Sequence, residues 1–308
     1  MKAISIAYIA FHHADDDVGN FLGSKIDWVF TWISLSCFVF VSGYILAKKY
    51  KLQTINESIS FFKRRFLRLV PLTLIFIIII ALFKFNSHGI DFWLVQALIG
   101  VNIFLGKYFI YYWFVSLMMV LYLFYLFVTY KYTLQKFLIL SLIILFCISY
   151  LPVNQALRDF TPIFFIGIMI GLYNHVYDRF VRFWKLYFLL FVIVVSVFLN
   201  TESSNKILQQ LFMVLICILP LPALFVFSNY IVNNDFIAKI SMVCGEASLC
   251  VYLIHSIIFE SIYKVVYFHD NILNFIVMFS VGLPISFVIG YYVQFYYNNL
   301  LTKIVGIK

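Results

Sequence analysis

The chain alternates between apolar runs long enough to cross a lipid bilayer and short polar loops, and this alternation decides what it can fold into. The runs occupy about 27–47, 66–85, 109–129, 136–151, 160–174, 184–200, 206–228, 247–267 and 272–297. A stretch of about 20 apolar residues, rising about 1.5 Å per residue as a helix, matches a hydrocarbon core near 30 Å thick. Inside that core a helix satisfies every backbone N–H and C=O without water. With a shorter apolar stretch over 2–13, the runs predict an all-α, polytopic membrane helix bundle of about ten transmembrane helices. Hydrophobic residues make up 64% of the 308 and charged residues 11%, with a mean hydropathy of +1.01, which excludes an ordinary soluble domain. No linker, composition shift or fixed-period repeat interrupts the pattern, so a single membrane domain is expected over 1–308.

The loops carry the orientation. Lys48, Lys49, Lys51, Lys63, Arg64 and Arg65, then Lys131 and Lys136, Arg179, Arg182 and Lys185, Lys239, and Lys303 and Lys308 fall on one side of the expected spans. The other side holds Lys25, Lys84, Lys107, Arg158 and Lys206 with most of the acids, among them Asp15, Asp16, Asp17, Asp91, Asp159, Glu202 and Asp270. The positive-inside rule then places both termini in the cytoplasm and makes the span count even. The net charge of +9 reads as topology, and no nucleic-acid partner is expected. Residues 90–105, interrupted by Asp91, Gln96, Gly100 and Asn102, suit an interfacial or re-entrant segment. The N-terminus lacks the small-residue cleavage pattern of a signal peptide. Its first apolar stretch covers only about 16 Å from Lys2 to His13, so a truncated start is expected. Cys37, Cys147, Cys217, Cys244 and Cys250 show no metal or disulfide spacing and read as small hydrophobes, with no metal site implied.

Three places bear residues suited to chemistry. In Phe62-Lys63-Arg64-Arg65-Phe66-Leu67-Arg68-Leu69-Val70-Pro71, Arg65 and Arg68 are three apart and share a helix face, either as a fork for phosphate oxygens or as a topology anchor beside anionic lipid. His12 and His13 end the first apolar stretch beside three aspartates. They are open to a general-base role or to a plain interfacial one, and three consecutive aspartates point around a helix instead of converging on a cation. His255 lies well inside the 247–267 run, where an ionisable group is costly and faces a cavity or a partner. Trp113, Ser116 and Tyr122 form a further polar and aromatic set, although an interfacial belt accounts for Trp113. No GxSxG, Walker A, HExxH or GxGxxG pattern is present, which removes support for hydrolase, NTPase, zincin and dinucleotide-binding readings.

Taken together, several segments resemble the membrane-bound acyltransferase family 3, integral-membrane O-acyltransferases that modify polysaccharides and related glycans. An Arg, ten residues and then His are usual in the family's first span; here Lys2 and His13 have that spacing, with Lys replacing Arg. Phe38-Val39-Phe40-Val41-Ser42-Gly43-Tyr44-Ile45 is similar to its Phe-rich Ser-Gly segment. Arg65, Arg68 and Pro71 match its RxxR followed by Pro, and Trp113-Phe114-Val115-Ser116 its Trp-bearing span. Phe164 to Gly171 and the segment from Ser248 to His255 follow in family order. Met118 and Met119 stand where one branch carries two Glu, so that branch's features do not transfer.

The resemblance implies an integral inner-membrane O-acyltransferase, an O-acetyltransferase in the simplest case, without a bound cofactor. It would take an acyl group from acetyl-CoA or another acyl-CoA in the cytoplasm and deliver it to a sugar hydroxyl of a polysaccharide or lipid-linked saccharide. His13 would be the base or transient acyl carrier, and Arg65 and Arg68 would bind the acyl-CoA phosphates. Lys2, His12, Trp113 and His255 would line the cavity, and the protein would sit in the bacterial cytoplasmic membrane. With the donor in the cytoplasm and His13 near the outer face, the acyl group needs a path through the bundle. The rival from another class is a transporter or flippase for an anionic lipid-linked saccharide, using the same arginines and histidines without consuming acyl-CoA. A glycan polymerase is disfavoured by the short outward loops.

Overall fold

The computed structural model describes residues 1–18, 24–88, 113–201, 206–266, 268 and 271–305, and among them every regular element is helical, with no strand. The helices are α1 (Lys2–Val18), α2 (Ser24–Lys49), α3 (Ile55–His88), α4 (Trp113–Thr129), α5 (Leu134–Tyr150), α6 (Gln155–Leu172), α7 (Asn174–Arg182), α8 (Trp184–Asn200), α9 (Lys206–Ile218), α10 (Leu221–Val232) and α11 (Asp235–Val265). After these come α12 (Asn271–Val277), a π turn (Met278–Gly282) and α13 (Leu283–Val305). Five described stretches are long and apolar enough to cross a membrane: Lys25–Lys49, Gln155–Leu172, Leu208–Val232, Asp235–Val265 and Ile272–Lys303. The bent pair α7 and α8, inclined at 63°, makes a sixth if counted as one span, while α4 and α5 are shorter apolar helices. The expected segment at 90–105 and the side chains of Asp15, Asp16 and Asp17 lie outside the described residues.

Helix ends fall where local chemistry puts them, and several lie outside the apolar runs. α3 begins well before its run because Thr54 and Glu57 form a capping box. The Glu57 N–H donates to Thr54 Oγ1 at 3.2 Å, and Glu57 Oε2 accepts the N–H groups of Gln53 and Thr54 at 2.7 and 3.1 Å. Those two backbone donors hold the Glu57 carboxyl below its ordinary value, as expected for a carboxylate at a helix start. Asn234 caps α11 in the same way, accepting from Phe236 and Ile237, so this helix also starts ahead of its apolar stretch. The 206–228 run is broken at Pro220 into α9 and α10, because proline supplies no N–H to the preceding turn.

The chain divides into two compact units, one comprising Met1–Lys48 and Ile166–Tyr292, the other Lys49–Phe165 and Val293–Lys308. In the first unit α2 and the end of α6 meet backbone to backbone. A Cβ at Gly167 would lie 2.4 Å from the Phe40 carbonyl oxygen, and one at Gly171 would lie 2.6 Å from that of Tyr44. These glycines, four apart, are a small-residue stripe of the kind that lets helices approach closely where lipid supplies no hydrophobic drive. In the second unit Pro71 sits inside α3 and cannot donate to the Leu67 carbonyl one turn before it. The Tyr297 hydroxyl, from α13, donates to that carbonyl instead.

Two stability measurements check this account. Gly167→Ala places a methyl against main chain that cannot rotate away, so the detergent-solubilised protein is expected to melt several degrees lower, whereas Gly245→Ala, which meets nothing within 4 Å and replaces a glycine in a helix interior, does not lower the midpoint. Tyr297→Phe strands the Leu67 carbonyl and is expected to cost about 1–3 kcal/mol, a shift the same melting experiment resolves.

Candidate functional site

Asp27 opens the apolar part of α2 and is only 2% exposed. A carboxylate at that depth requires donors, and both come from α1. The Tyr8 hydroxyl donates to Oδ1 at 3.0 Å, and His12 bonds Oδ2 through Nδ1. Tyr8 and His12 are four apart on the helix and so present one face to the carboxyl. Because a carboxylate oxygen accepts, the proton of this bond is on His12 Nδ1.

His13 continues the cluster. Its ring centroid lies 5.1 Å from that of His12 and 5.0 Å from that of His255, on which it stacks at 28°. His255, from α11, is fully buried, and its Nδ1 bonds the Val251 carbonyl at 3.0 Å. A carbonyl only accepts, so Nδ1 donates. Phe259 meets the His255 ring edge-on at 5.7 Å and belongs to an apolar cluster with Ala10, Ile258 and Met278. The π turn closes on this cluster through Gly282, where a Cβ would fall 2.9 Å from the Phe259 ring. Three imidazoles from two helices and a carboxylate from a third are thus held in one apolar setting. Such a cluster is equipped to take a proton from a hydroxyl and return it to a leaving group.

The second unit contains a different kind of site. Lys49, Tyr50, Arg64, Arg65, Arg68, Asn298, Leu301 and Thr302 line a cavity of about 200 Å³, with four cations and no acid among them. Arg65 is held by aromatic rings, its guanidinium carbon lying 5.3 Å from the Tyr50 centroid, 5.7 Å from that of Phe61 and 5.6 Å from that of Tyr122. Tyr50 is fixed in turn by the Tyr125 hydroxyl, which donates to its carbonyl at 2.9 Å. Gln294 donates to Asn298 Oδ1 at 3.0 Å, leaving the Asn298 amide N–H groups as donors for the cavity. Planar guanidinium forks and an ammonium gathered around one space are suited to phosphate oxygens.

The sequence candidates therefore separate into groups. His12, His13 and His255 come together, and Arg65 and Arg68 share a cavity wall. Lys2 stands apart from the imidazoles: its Nζ lies over the Phe38 ring at 5.9 Å, and eleven helical positions separate it from His13 by about 16 Å. Trp113 stacks on Phe160 at 6.5 Å. Ser116 and Tyr122 are buried, Tyr122 against Arg65. Sequence reading missed Asp27 and Tyr8, although a lone acid at the head of an apolar run was the available signal. It also missed Lys49, Asn298 and Thr302, which no local pattern links to the arginines.

The cavity makes a direct prediction. Pyrophosphate binding to the purified protein, followed by calorimetry, is expected to weaken tenfold or more in Arg64→Ala/Arg68→Ala, at about 1.5–3 kcal/mol per charged hydrogen bond, and to weaken with added salt in the wild type.

A family model described as an acyltransferase domain, that of the acyltransferase 3 family, matches residues 1–291. No curated protein and no solved structure matches the chain. The family match takes in the whole imidazole cluster and every cation of the cavity. Extending over nearly all of the 308 residues, it establishes that the chain belongs to the acyltransferase 3 family.

Proposed function

We propose that this acyltransferase is an integral-membrane O-acyltransferase. It takes an acetyl or other short acyl group from cytoplasmic acyl-CoA and transfers it to a sugar hydroxyl of a polysaccharide or lipid-linked saccharide. The observation that carries the reading is the cavity walled by Lys49, Arg64, Arg65 and Arg68, with no acid among its described lining residues, in a chain of an acyltransferase family. Coenzyme A bears a pyrophosphate and a further phosphate, and a set of fixed cations answers that charge. Arg65 and Arg68 hold the donor, with Arg64 and Lys49 beside them. His13, the histidine at the motif spacing, is the base that takes the acceptor's proton or the group that carries the acyl in transit, with His12 and His255 around it.

The proposed setting is the bacterial cytoplasmic membrane, with about ten spans and both termini inside, on the strength of the Lys/Arg bias of the loops. That orientation faces the segment from Lys48 to Arg68 towards cytoplasmic acyl-CoA, and the acyl group crosses the bundle to reach an acceptor outside.

The test is transfer of labelled acetyl from acetyl-CoA in membranes containing the protein, comparing wild type with His13→Ala and with Arg65→Ala/Arg68→Ala. Label in the glycan fraction of the wild type, lost in both variants, is the expected outcome. A correctly inserted wild type that binds acetyl-CoA but labels no glycan overturns the acceptor. One that does not bind acetyl-CoA overturns the donor, and uptake of a lipid-linked saccharide without acyl-CoA consumption then identifies a transporter.

A further inference from the structure

On α3 the side chains of Ile55, Ile59, Phe62 and Phe66 recur three and four apart and so share one helix face. Arg64, Arg65 and Arg68, which wall the cation cavity, fall on another. The apolar face of α3 lines a separate groove of about 890 Å³, whose further walls include Leu126 and Phe127 of α4 and Leu140 of α5. These walls are tied together where α4 ends and α3 and α5 begin. The Lys131 N–H donates to the Leu52 carbonyl at 2.8 Å, which pins the turn between α4 and α5 to the chain just ahead of α3. The apolar surface is left uncovered, with Ile55 62%, Ile59 60% and Phe127 64% exposed.

The groove also carries charge of one sign. Lys63 of α3 and Lys136 of α5 line it, beside Ser58 and Tyr130, and no acid is among its described lining residues. Lys136 is positioned by Tyr130: its Nζ donates to the Tyr130 carbonyl and lies 5.3 Å from the ring centroid. An ammonium carries three N–H donors, so one such bond does not exhaust it. Glu57, the acid on this part of α3, accepts the Gln53 and Thr54 N–H groups. It stands two positions from both Ile55 and Ile59, on the opposite side of the helix.

Scattered exposed apolar residues ask only for hydrocarbon around them. A concave apolar wall with two cations selects further, because its ligand has to join hydrocarbon to negative charge. From Ile55 to Phe66 the α3 wall rises about 16 Å, about half of a hydrocarbon core near 30 Å, which is the depth of one leaflet. We infer that the groove between α3, α4 and α5 binds an anionic phospholipid, with one acyl chain laid along the groove and the head-group phosphate at Lys63 and Lys136. The lysine stems lie along apolar surface while their ammonium heads meet the phosphate. A second copy of this chain fits less well, since a two-fold interface would set the same lysine pair against itself.

The experiment uses the full-length protein in phosphatidylcholine nanodiscs holding a minor fraction of phosphatidylglycerol with a photoactivatable diazirine in its acyl chain. Crosslinked residues are mapped by peptide mass spectrometry, a readout that requires no acyl transfer and so stands apart from the function proposed above. Label is expected on Phe62, Phe66, Leu126 or Phe127, and several-fold less of it when the same diazirine chain is carried by a phosphocholine head group. Lys63→Gln/Lys136→Gln is expected to lower groove labelling by on the order of tenfold, while Arg64→Ala/Arg68→Ala leaves it unchanged. Leu126→Trp keeps both lysines but fills the groove, and is expected to remove the label even if the lysine variant proves unstable. Equal labelling under the two head groups overturns the assignment, as does label that survives both the lysine and the Leu126→Trp substitutions. Label lost in the arginine variant alone overturns it too, by placing the phosphate in the cation cavity. A crosslink joining two copies of the chain through these residues overturns it by naming a second copy as the occupant.

Discussion

Burial of the Asp27 carboxylate is the constraint around which the first unit is arranged. Removing such a group from water costs several kcal/mol even after relaxation, and the loss is recovered only by donors with good geometry. Tyr8 and His12 provide them from one face of α1, so the first helix is fixed against α2 in both rotation and height. Once His12 is set, His13 is turned by the helical step to a neighbouring direction, where it meets His255 from α11. The geometry of the whole imidazole cluster thus follows from one acid that has to be paired. Exchanging the acid for an apolar residue would relieve the burial cost, but it would also remove the group that fixes which nitrogen of His12 carries a proton.

Elsewhere the bundle is held by close approach and by rings. Lipid tails are as apolar as leucine, so helices gain little from merely covering hydrophobic surface and must gain from contact. Gly167 and Gly171 bring α6 onto the main chain of α2, and Gly290 does the same against Val251, where a Cβ would come 2.8 Å from a side-chain methyl. The second unit solves a different problem. Pro71 leaves a carbonyl of α3 without its usual donor, and Tyr297 fills the gap. The same contact carries α13 across α3 beside the arginines, which puts Asn298 and Thr302 on the cavity wall. A defect in one helix therefore becomes the docking point that completes a binding surface.

The two units suit two electrostatic tasks. Recognition of phosphate calls for permanent charges in fixed directions near water, and Arg65, held over three aromatic rings, gives a planar cation that keeps both its charge and its orientation. Proton transfer calls for groups that can change charge, and imidazole is the side chain whose ordinary titration falls nearest neutral pH.

Much of this was legible in the chain itself. Spanning length and apolarity determined that the elements are helices, because no other local structure satisfies the backbone in lipid. The three-residue spacing of Arg65 and Arg68 determined that they share a face, and a charged or polar group within an apolar run marked His255. Boundaries were less legible, since Thr54 and Asn234 extend helices by side-chain caps that hydropathy does not register. The contacts were not legible at all. Asp27 meets His12 across 15 positions and His13 meets His255 across 242, and nothing periodic connects such pairs. A sequence determines locally what each residue requires, such as donors for a buried carboxylate or a partner for a freed carbonyl. Which distant residue meets the requirement is decided only by packing, because that depends on where whole helices come to rest.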